Sequence, residues 1–346
     1  MRQIVALLLL TALLCTLTAQ PPIKVQQPLA ERKGDLSVAT WNLEWFYDND
    51  IKDNQSETAK LNSAPTRKDW EWRLRATADA IAKLNPTILC LQEIENKKVL
   101  EELAHTIKER HNLDYEVCFV QGRDSFTEQD VGVLVKRGLR PNYHRAPEPR
   151  NWNSREVKPL TKQLMVEIPW GDGPTQRKLT FIDVHLMAGD DIGKEMDRCD
   201  QARFIKHWIR DEHKAGHYVI LMGDLNTAEV RGSNPPKEKA LDILAGKDTP
   251  NDPDDDLDDV TNIMPVMDRI TFGSRGSMLD HIFVSPKLKS GPGITFDTIS
   301  NRRDVVIRGK GPDFKLRLPD RRFWKIDEDE RDLSDHYPLL AKFKMK

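Results

Sequence analysis

Residues Tyr218 to Thr227 read YVILMGDLNT, and this stretch decides the fold. Tyr218 to Met222 are apolar without interruption, the pattern of a buried strand, and the run stops at Gly223, where the chain can turn tightly. Asp224 and Asn226 then project from the strand end, two apart and so able to face one side. Such a pair suits phosphoryl chemistry. A carboxylate takes a proton from water or holds a hydrated metal, and a carboxamide donates to a phosphate oxygen. The same residues also read as a plain turn, because Gly, Asp and Asn favour turns for backbone reasons.

On either side the pattern repeats. Upstream, Arg198 to Ala215 has the spacing of an amphipathic helix carrying Phe204, Trp208 and Ile209, and before it KLTFIDVHLMAGD forms a strand that finishes on His185. A lone histidine is more often structural than catalytic, so His185 matters only in company. Downstream, DTPNDPDDDLDD places seven Asp and no cation between Asp248 and Asp259. The alternation of Asp252, Asp254, Asp256 and Asp258 is like a calcium loop, yet Leu257 stands at the sharp-turn position and Ile263 where the closing Glu belongs. A solvated loop that binds Ca²⁺ weakly at most is expected there. SMLDHIFVS then reads as a strand with Asp280 in its middle, beside His281.

Farther out, LSVATWNLEWF opens the fold as a strand that delivers Asn42 and Glu44 at its end, either as phosphate and metal contacts or as polar strand caps. Arg67 to Leu84 is a helix with Trp70, Leu74, Ala78 and Ile81 on one face and Pro86 beyond its end. TILCLQEIE is a second buried strand. A carboxylate leaving so apolar a run is expensive to bury alone, so Glu93 is expected to ligate a cation or pair with an Arg. Val99 to Glu109 is a further helix, and YEVCFVQG and DVGVLVKR are strands. RNWNSREVKPLTKQLMVEI is a basic loop leading into a strand from Lys162 to Ile168. Arg155 and Lys158 could meet a phosphodiester there, Arg by forking two oxygens, or simply lie in solvent. Between Lys287 and Lys325 eleven Lys/Arg stand against four Asp, interleaved with Phe296, Phe314, Phe323 and Trp324, which suits either a nucleic-acid contact face or an amphipathic surface excursion. DLSDHYPLLAKFKM closes the chain with Asp335 and His336 before a last strand, Leu339 to Phe343. Strands alternating with helices on this scale predict α/β layers.

The chain of 346 residues is long enough for two domains, but no Gly/Ser-rich or Pro-rich linker divides its middle, so one large α/β domain over residues 35–346 is expected. Residues 1–19 place Arg2 before an apolar run from Ile4 to Leu17, the layout of a secretory signal cleaved near Ala19, with residues 20–34 as a flexible lead-in. Cys15 raises lipidation as an alternative, against which Leu14 before it is too bulky. Loss of Arg2 with the leader takes the formal charge from −2 to −3, a balance that excludes general stickiness for nucleic acid. Three cysteines then remain, Cys90, Cys118 and Cys199, so at most one internal disulfide can form; buried thiols are expected instead. No close Cys/His pairing offers a cysteine metal site.

TWNLEW, LCLQEIE, DVHL, MGDLNT, LDHIFVS and SDHYPL, in this order from about residue 36 to the end, resemble the endonuclease/exonuclease/phosphatase superfamily, of which pancreatic deoxyribonuclease is a member. One such stretch is a weak signal; six in order are specific. The resemblance implies a four-layer α/β sandwich, two central mixed β-sheets flanked by helices. It also implies roles. Glu93 would be the main ligand of Mg²⁺ or Mn²⁺, with Glu44 and Asp335 near the metal, while Asn42 and Asn226 hold the phosphate; the charge of the basic loop, apart from the resemblance, suggests Arg155 as a further phosphate contact. Asp224 would orient or deprotonate the attacking water; His336, held by Asp280, and His185 would stabilise the pentacovalent charge and protonate the leaving oxygen.

Substrate is less sharply drawn, because the superfamily includes nucleases, inositol-phosphate phosphatases and sphingomyelinases. The branch that attacks inositol lipids usually has Arg directly after the LDHIF-type aspartate, where this chain has His281. No counterpart of the sphingomyelinase membrane hairpin is identifiable, although Phe323 and Trp324 could serve. The expectation is a secreted, monomeric nuclease acting on DNA or RNA without a stable protein partner. A lipid or inositol-phosphate hydrolase, or an inactive binding relative, are the alternatives.

Overall fold

The computed structural model describes residues 35–147, 159–170, 177–227, 237–273, 276–291, 293–308, 318 and 320–345. The leader, the lead-in, Cys15, Arg155, Lys158 and Phe314 lie outside the described residues.

Two six-stranded sheets face each other. The first is built from β1 (Asp35–Phe46), β2 (Ile88–Ile94), β3 (Tyr115–Phe119), β4 (Asp130–Lys136), β11 (Ile294–Asn301) and β12 (Leu339–Met345) in the order β11-β12-β1-β2-β4-β3. The second is built from β5 (Asn142–His144), β6 (Gln163–Trp170), β7 (Arg177–His185), β8 (Tyr218–Asp224), β9 (Asp258–Asp259) and β10 (Asp280–Val284) in the order β5-β6-β7-β8-β10-β9. Each is mixed: β1 runs parallel to β2 and β7 to β8, and the other pairs are antiparallel.

Helices cover the outer faces. They are α1 (Glu57–Asn62), α2 (Arg67–Leu84), α3 (Lys97–His111), α4 (Ile192–Lys214), α5 (Ala240–Leu244) and α6 (Lys287–Ser290). The long ones carry the caps their sequences announce. Thr66, Asn96 and Asp191 accept the backbone N–H three residues on, and Asn85 and Asn112 close α2 and α3 in the left-handed conformation. The Asp191 cap starts α4 six residues before the expected Arg198. Asp280, expected in mid-strand, instead opens β10.

Both faces of both sheets are buried, which is why the strands read as near-continuous apolar runs. One core joins Ala39, Trp41 and Leu89 of the first sheet to Trp70, Ile81 and Leu103 of α2 and α3. A second lies between the sheets, with Val38, Cys90 and Val133 facing Phe181, Ile220 and Ile282. A third packs Val219, Leu221 and Phe283 on Phe204 and Ile209 of α4. The layers are therefore helix, sheet, sheet, helix. Cys90 and Cys118 both register opposite Val133 from either side of β4, so about two strand spacings, roughly 9–10 Å, separate them, beyond the reach of a disulfide. All three described cysteines are free and buried.

Two surface expectations fail. The acidic loop is clamped to α4 and is not a solvated calcium loop. Lys206 lies 2.7 Å from Asp248 and 2.8 Å from Asp255, Arg210 lies 3.0 Å from Asp252 and also pairs with Asp255, and Asp258 binds Lys289. Cations from a neighbouring helix occupy these carboxylates, a supply invisible in the loop's own composition. Phe323 and Trp324 are no surface tip either. Both are buried, edge-on to Trp72, with the Arg331 guanidinium over the Trp324 ring. Within the same basic segment Arg302 pairs with Asp304 and Arg322 with Asp320, so two of its eleven cations are neutralised locally.

Candidate active site

The site is the polar end of the core between the sheets. Strand alternation puts Leu36, Val38, Thr40 and Asn42 of β1 on one face, Leu179, Phe181, Asp183 and His185 of β7 on another, and Ile220, Met222 and Asp224 of β8 beside them. Each strand thus exchanges apolar for polar side chains as it reaches the same rim. Asp224 registers with His185 across the β7–β8 ladder and with Asp280 across the β8–β10 ladder, so three functional side chains stand in one row. Gly223 makes the row possible. At φ 147° its absent Cβ would sit 1.9 Å from the Val184 carbonyl oxygen.

Below this rim is a polar layer that sequence reasoning missed. Thr40 and Gln92 exchange hydrogen bonds, and Gln92 donates to Asp183 Oδ1 at 2.6 Å, bridging the two sheets. Burial pushes the Asp183 carboxyl well above its usual range, so it is held as the neutral acid. The position of Asp183 was legible from the period of two that leads to His185, but its role as acceptor for Gln92 was not.

Asn42 is the hub. Its Nδ2 donates to Glu93 Oε1 at 3.0 Å and to Asp224 Oδ2 at 2.9 Å, and its Oδ1 accepts from the Glu44 N–H at 2.9 Å. Glu93 Oε2 accepts from the Trp45 N–H at 2.8 Å, and Glu44 Oε2 from the Asp335 N–H at 3.1 Å. Strict alternation would point Glu93 away from Gln92, toward the helices. A bulge in the ladder and a left-handed backbone at Glu93 (φ 62°) re-aim the carboxylate toward Asn42. Glu44 (φ 51°), Trp45 (φ 50°) and Asn226 (φ 51°) are left-handed too, each at about 1–3 kcal/mol. Arg73, buried on α2 and missed in the sequence, holds the β1 turn in place. Its guanidinium donates to the carbonyls of Leu43, Glu44 and Trp45.

On the other side, His336 Nδ1 meets Asp280 Oδ2 at 2.8 Å. Asp224 Oδ2 lies 3.7 Å from His336 Nε2 and 3.6 Å from His185 Nε2, and its Oδ1 accepts from the Asn226 N–H. Asn226 Nδ2 donates to Leu186 O at 3.1 Å. Burial alone would lower the His336 pKa, but Asp280 and Asp224 outweigh it and hold the imidazole well above its ordinary value. Burial, then Lys162, then His336 push His185 well below its own. Asp224 rises to about 6, by burial first, opposed by the attraction of His336. One rim therefore holds a charged imidazole, a neutral one and a carboxylate of raised basicity between them.

The cleft above has a volume of about 770 Å³ and is lined by Glu93, His185, Asp224, Asn226, Asp335 and His336. The structure brings these predicted residues together, with Asn42, Glu44 and Asp280 beneath and beside them. His281 is not among them. It points to the outer face, between Asp259 at 3.0 Å and Thr227 at 3.1 Å. Lys162, Gln129 and Phe126 also line the cleft and carried no recognisable signal. Lys162 Nζ sits 3.0 Å from both Asp124 and Gln129.

Glu93 is half-buried, accepts only neutral donors, and has no Lys or Arg partner among the described residues. With Glu44 and Asp335 it offers the hard oxygens that suit Mg²⁺ or Mn²⁺. Asp224, Asp280 and His336 also approach closely enough to share an ion. There a protonated imidazole already supplies positive charge, whereas the Glu93 carboxylate has no such partner among the described residues.

The profile of the Endonuclease/Exonuclease/phosphatase family matches residues 39–336. No curated protein matches the sequence. Among solved structures, an endonuclease/exonuclease/phosphatase from Bacteroides vulgatus is similar at 17% identity and TM-score 0.53, covering 91% of this chain and 100% of that one. Humanized TDP2 from D. rerio is similar at 16% identity and TM-score 0.53, over 89% and 98% of the two chains. D. rerio TDP2 with a single-strand DNA product follows at 16% and 0.52, over 90% and 99%. At such identities these likenesses establish the shared fold.

Proposed function

We propose, from the premise that this chain belongs to the endonuclease/exonuclease/phosphatase family, that it is a secreted, monomeric nuclease hydrolysing phosphodiesters of DNA in the presence of Mg²⁺ or Mn²⁺. The observation that carries the reading is the row His185, Asp224, Asp280 with His336 closing over it, because it sets a base, a charged donor and a neutral donor around one point. Asp224 takes the proton of the attacking water, which its raised pKa favours. His336, kept charged by Asp280, faces the oxygen on which negative charge grows and can give its Nε2 proton to the leaving group. His185 adds a neutral donor, and Asn42 fixes Asp224 and Glu93 in one geometry. Glu93, with Glu44 and Asp335, would hold the cation, which would supply charge neutralisation at the phosphate.

Nucleic acid is favoured over lipid because Phe323 and Trp324, the candidate membrane tip, are buried in the core, while Lys162, Arg123 and Lys194 stand among the acids that line the cleft. A relative of the same fold was solved with a single-strand DNA product, which supports the same class. Export rests on the leader pattern of residues 1–19. No helix among the described residues is long and apolar enough to cross a membrane. The test is the mature protein assayed on plasmid DNA, RNA, sphingomyelin vesicles and inositol phosphates, each with Mg²⁺ and with excess chelator. Cleavage of plasmid only with the metal is the expected result; hydrolysis of sphingomyelin with plasmid intact overturns it.

A further inference from the structure

Phe126 is 73% exposed, yet it lines the catalytic cleft. Single exposed apolar residues are common on surfaces, and most sit on loops free to move. This one does not. Asp124 Oδ1 accepts the Phe126 N–H at 2.9 Å and the Thr127 N–H at 3.2 Å, while Tyr47 OH donates to the Thr127 carbonyl at 2.7 Å. One residue on, Glu128 accepts from the Gln55 N–H at 3.0 Å. Lys162, 3.0 Å from Asp124, ties the same loop to the floor of the cleft. The phenyl ring is thus presented to solvent by a turn anchored on both sides, an arrangement that core packing does not require.

We propose that Phe126 is a stacking platform for the base of a nucleotide adjoining the scissile phosphate, so that the enzyme prefers single-stranded nucleic acid or frayed ends. This rests on the nuclease reading above and narrows it. A cleft of about 770 Å³ has room for far more than one phosphate, and Phe126 and Lys162 line it together with His185, Asp224 and His336. An aromatic ring serves any base there, because every base has a π face. In a duplex both faces of an interior base are already stacked, so only an unpaired base can use the platform. A bilayer is the wrong partner for this loop. Asp124 and Glu128 flank the ring, and driving it into lipid would carry two carboxylates with it.

The experiment measures kcat/KM of the wild-type, Phe126→Ala and Phe126→Trp proteins on single-stranded oligonucleotides of normal composition, on the same strands with one abasic residue walked through each position, and on the duplex. The wild type is expected to prefer the strand to the duplex and to lose about tenfold when the abasic residue reaches one position beside the cut. F126A should erase that tenfold discrimination through KM, and F126W should keep it. Equal discrimination in wild type and F126A overturns the platform while leaving the nuclease reading intact. A wild type that cleaves no nucleic acid, but hydrolyses sphingomyelin vesicles, overturns both.

Discussion

Asp280 Oδ2 lies 2.8 Å from Nδ1 of His336, whereas Nδ1 of His185 is buried with no hydrogen-bond partner among the described residues. One carboxylate therefore divides two otherwise similar histidines into a charged one and a neutral one. Replacing His336 or Asp280 should remove the same charged donor. His336→Ala and Asp280→Asn are each expected to lower kcat on the order of a hundredfold, and the double variant to be little worse than either. Steady-state kinetics of the four proteins check this. Losses that multiply would separate the two residues.

Activity should also follow the protonation of Asp224. Its folded pKa is raised from 3.8 to about 6, so kcat/KM measured against pH is expected to rise through about 6 and to level above it, and a bound cation should pull that limb lower. For stability the sign is the reverse. Between 3.8 and about 6 the folded state holds a proton the unfolded chain has lost, so stability falls as pH rises across that window. At pH 7 the buried carboxylate costs on the order of 3 kcal/mol. Asp224→Asn should accordingly abolish activity and raise the melting temperature of the metal-free protein at pH 7, an exchange of stability for function that thermal melts will show.

Arg73 touches no cleft atom, yet three successive carbonyls depend on it. A lysine has one ammonium in place of a planar fork and cannot satisfy all three. Arg73→Lys is expected to loosen the left-handed turn at Glu44 and Trp45 and to weaken Mn²⁺ binding about tenfold, roughly 1.4 kcal/mol. Calorimetric titration of the folded variant is the measurement, since it reads the cation site without catalysis. An unchanged affinity would leave Arg73 a plain core residue.

Lys162 and the arginines of the basic segment should behave differently. Lys162→Met removes a cation lining the cleft and, because Asp124 already offsets part of its charge, is expected to raise KM for DNA several-fold while reducing the salt slope by less than one. It should also raise the pKa of His185, because Lys162 contributes to its depression. Neutralising Arg302 and Arg322 should change little, since neither lines the cleft and Asp304 and Asp320 already pair with them. Salt series at fixed pH distinguish the two.

What the sequence by itself determined is what depends on neighbours along the chain. The apolar runs specified strands buried on both faces, and the spacing of Trp70, Leu74, Ala78 and Ile81 specified α2. Because alternation carries Val38 to Asn42 and Met222 to Asp224 along one face, it also specified which polar residues would end up at the rim. Glu93 was legible as an acid leaving an apolar strand, but the direction of its carboxylate was not, because a left-handed residue in a bulge inverts the alternation that a reader would apply. Asp183, Gln92 and Arg73 escaped notice for another reason. Their partners are tens of residues away, and a buried polar side chain has a role only once the groups that satisfy it are in place. The tertiary structure alone decided that Phe323 and Trp324 fill the core, that α4 neutralises the acidic loop, and that His336 is charged while His185 is neutral. Burial and charge at a residue are set by everything packed around it, and packing brings together parts of the chain that no local pattern connects.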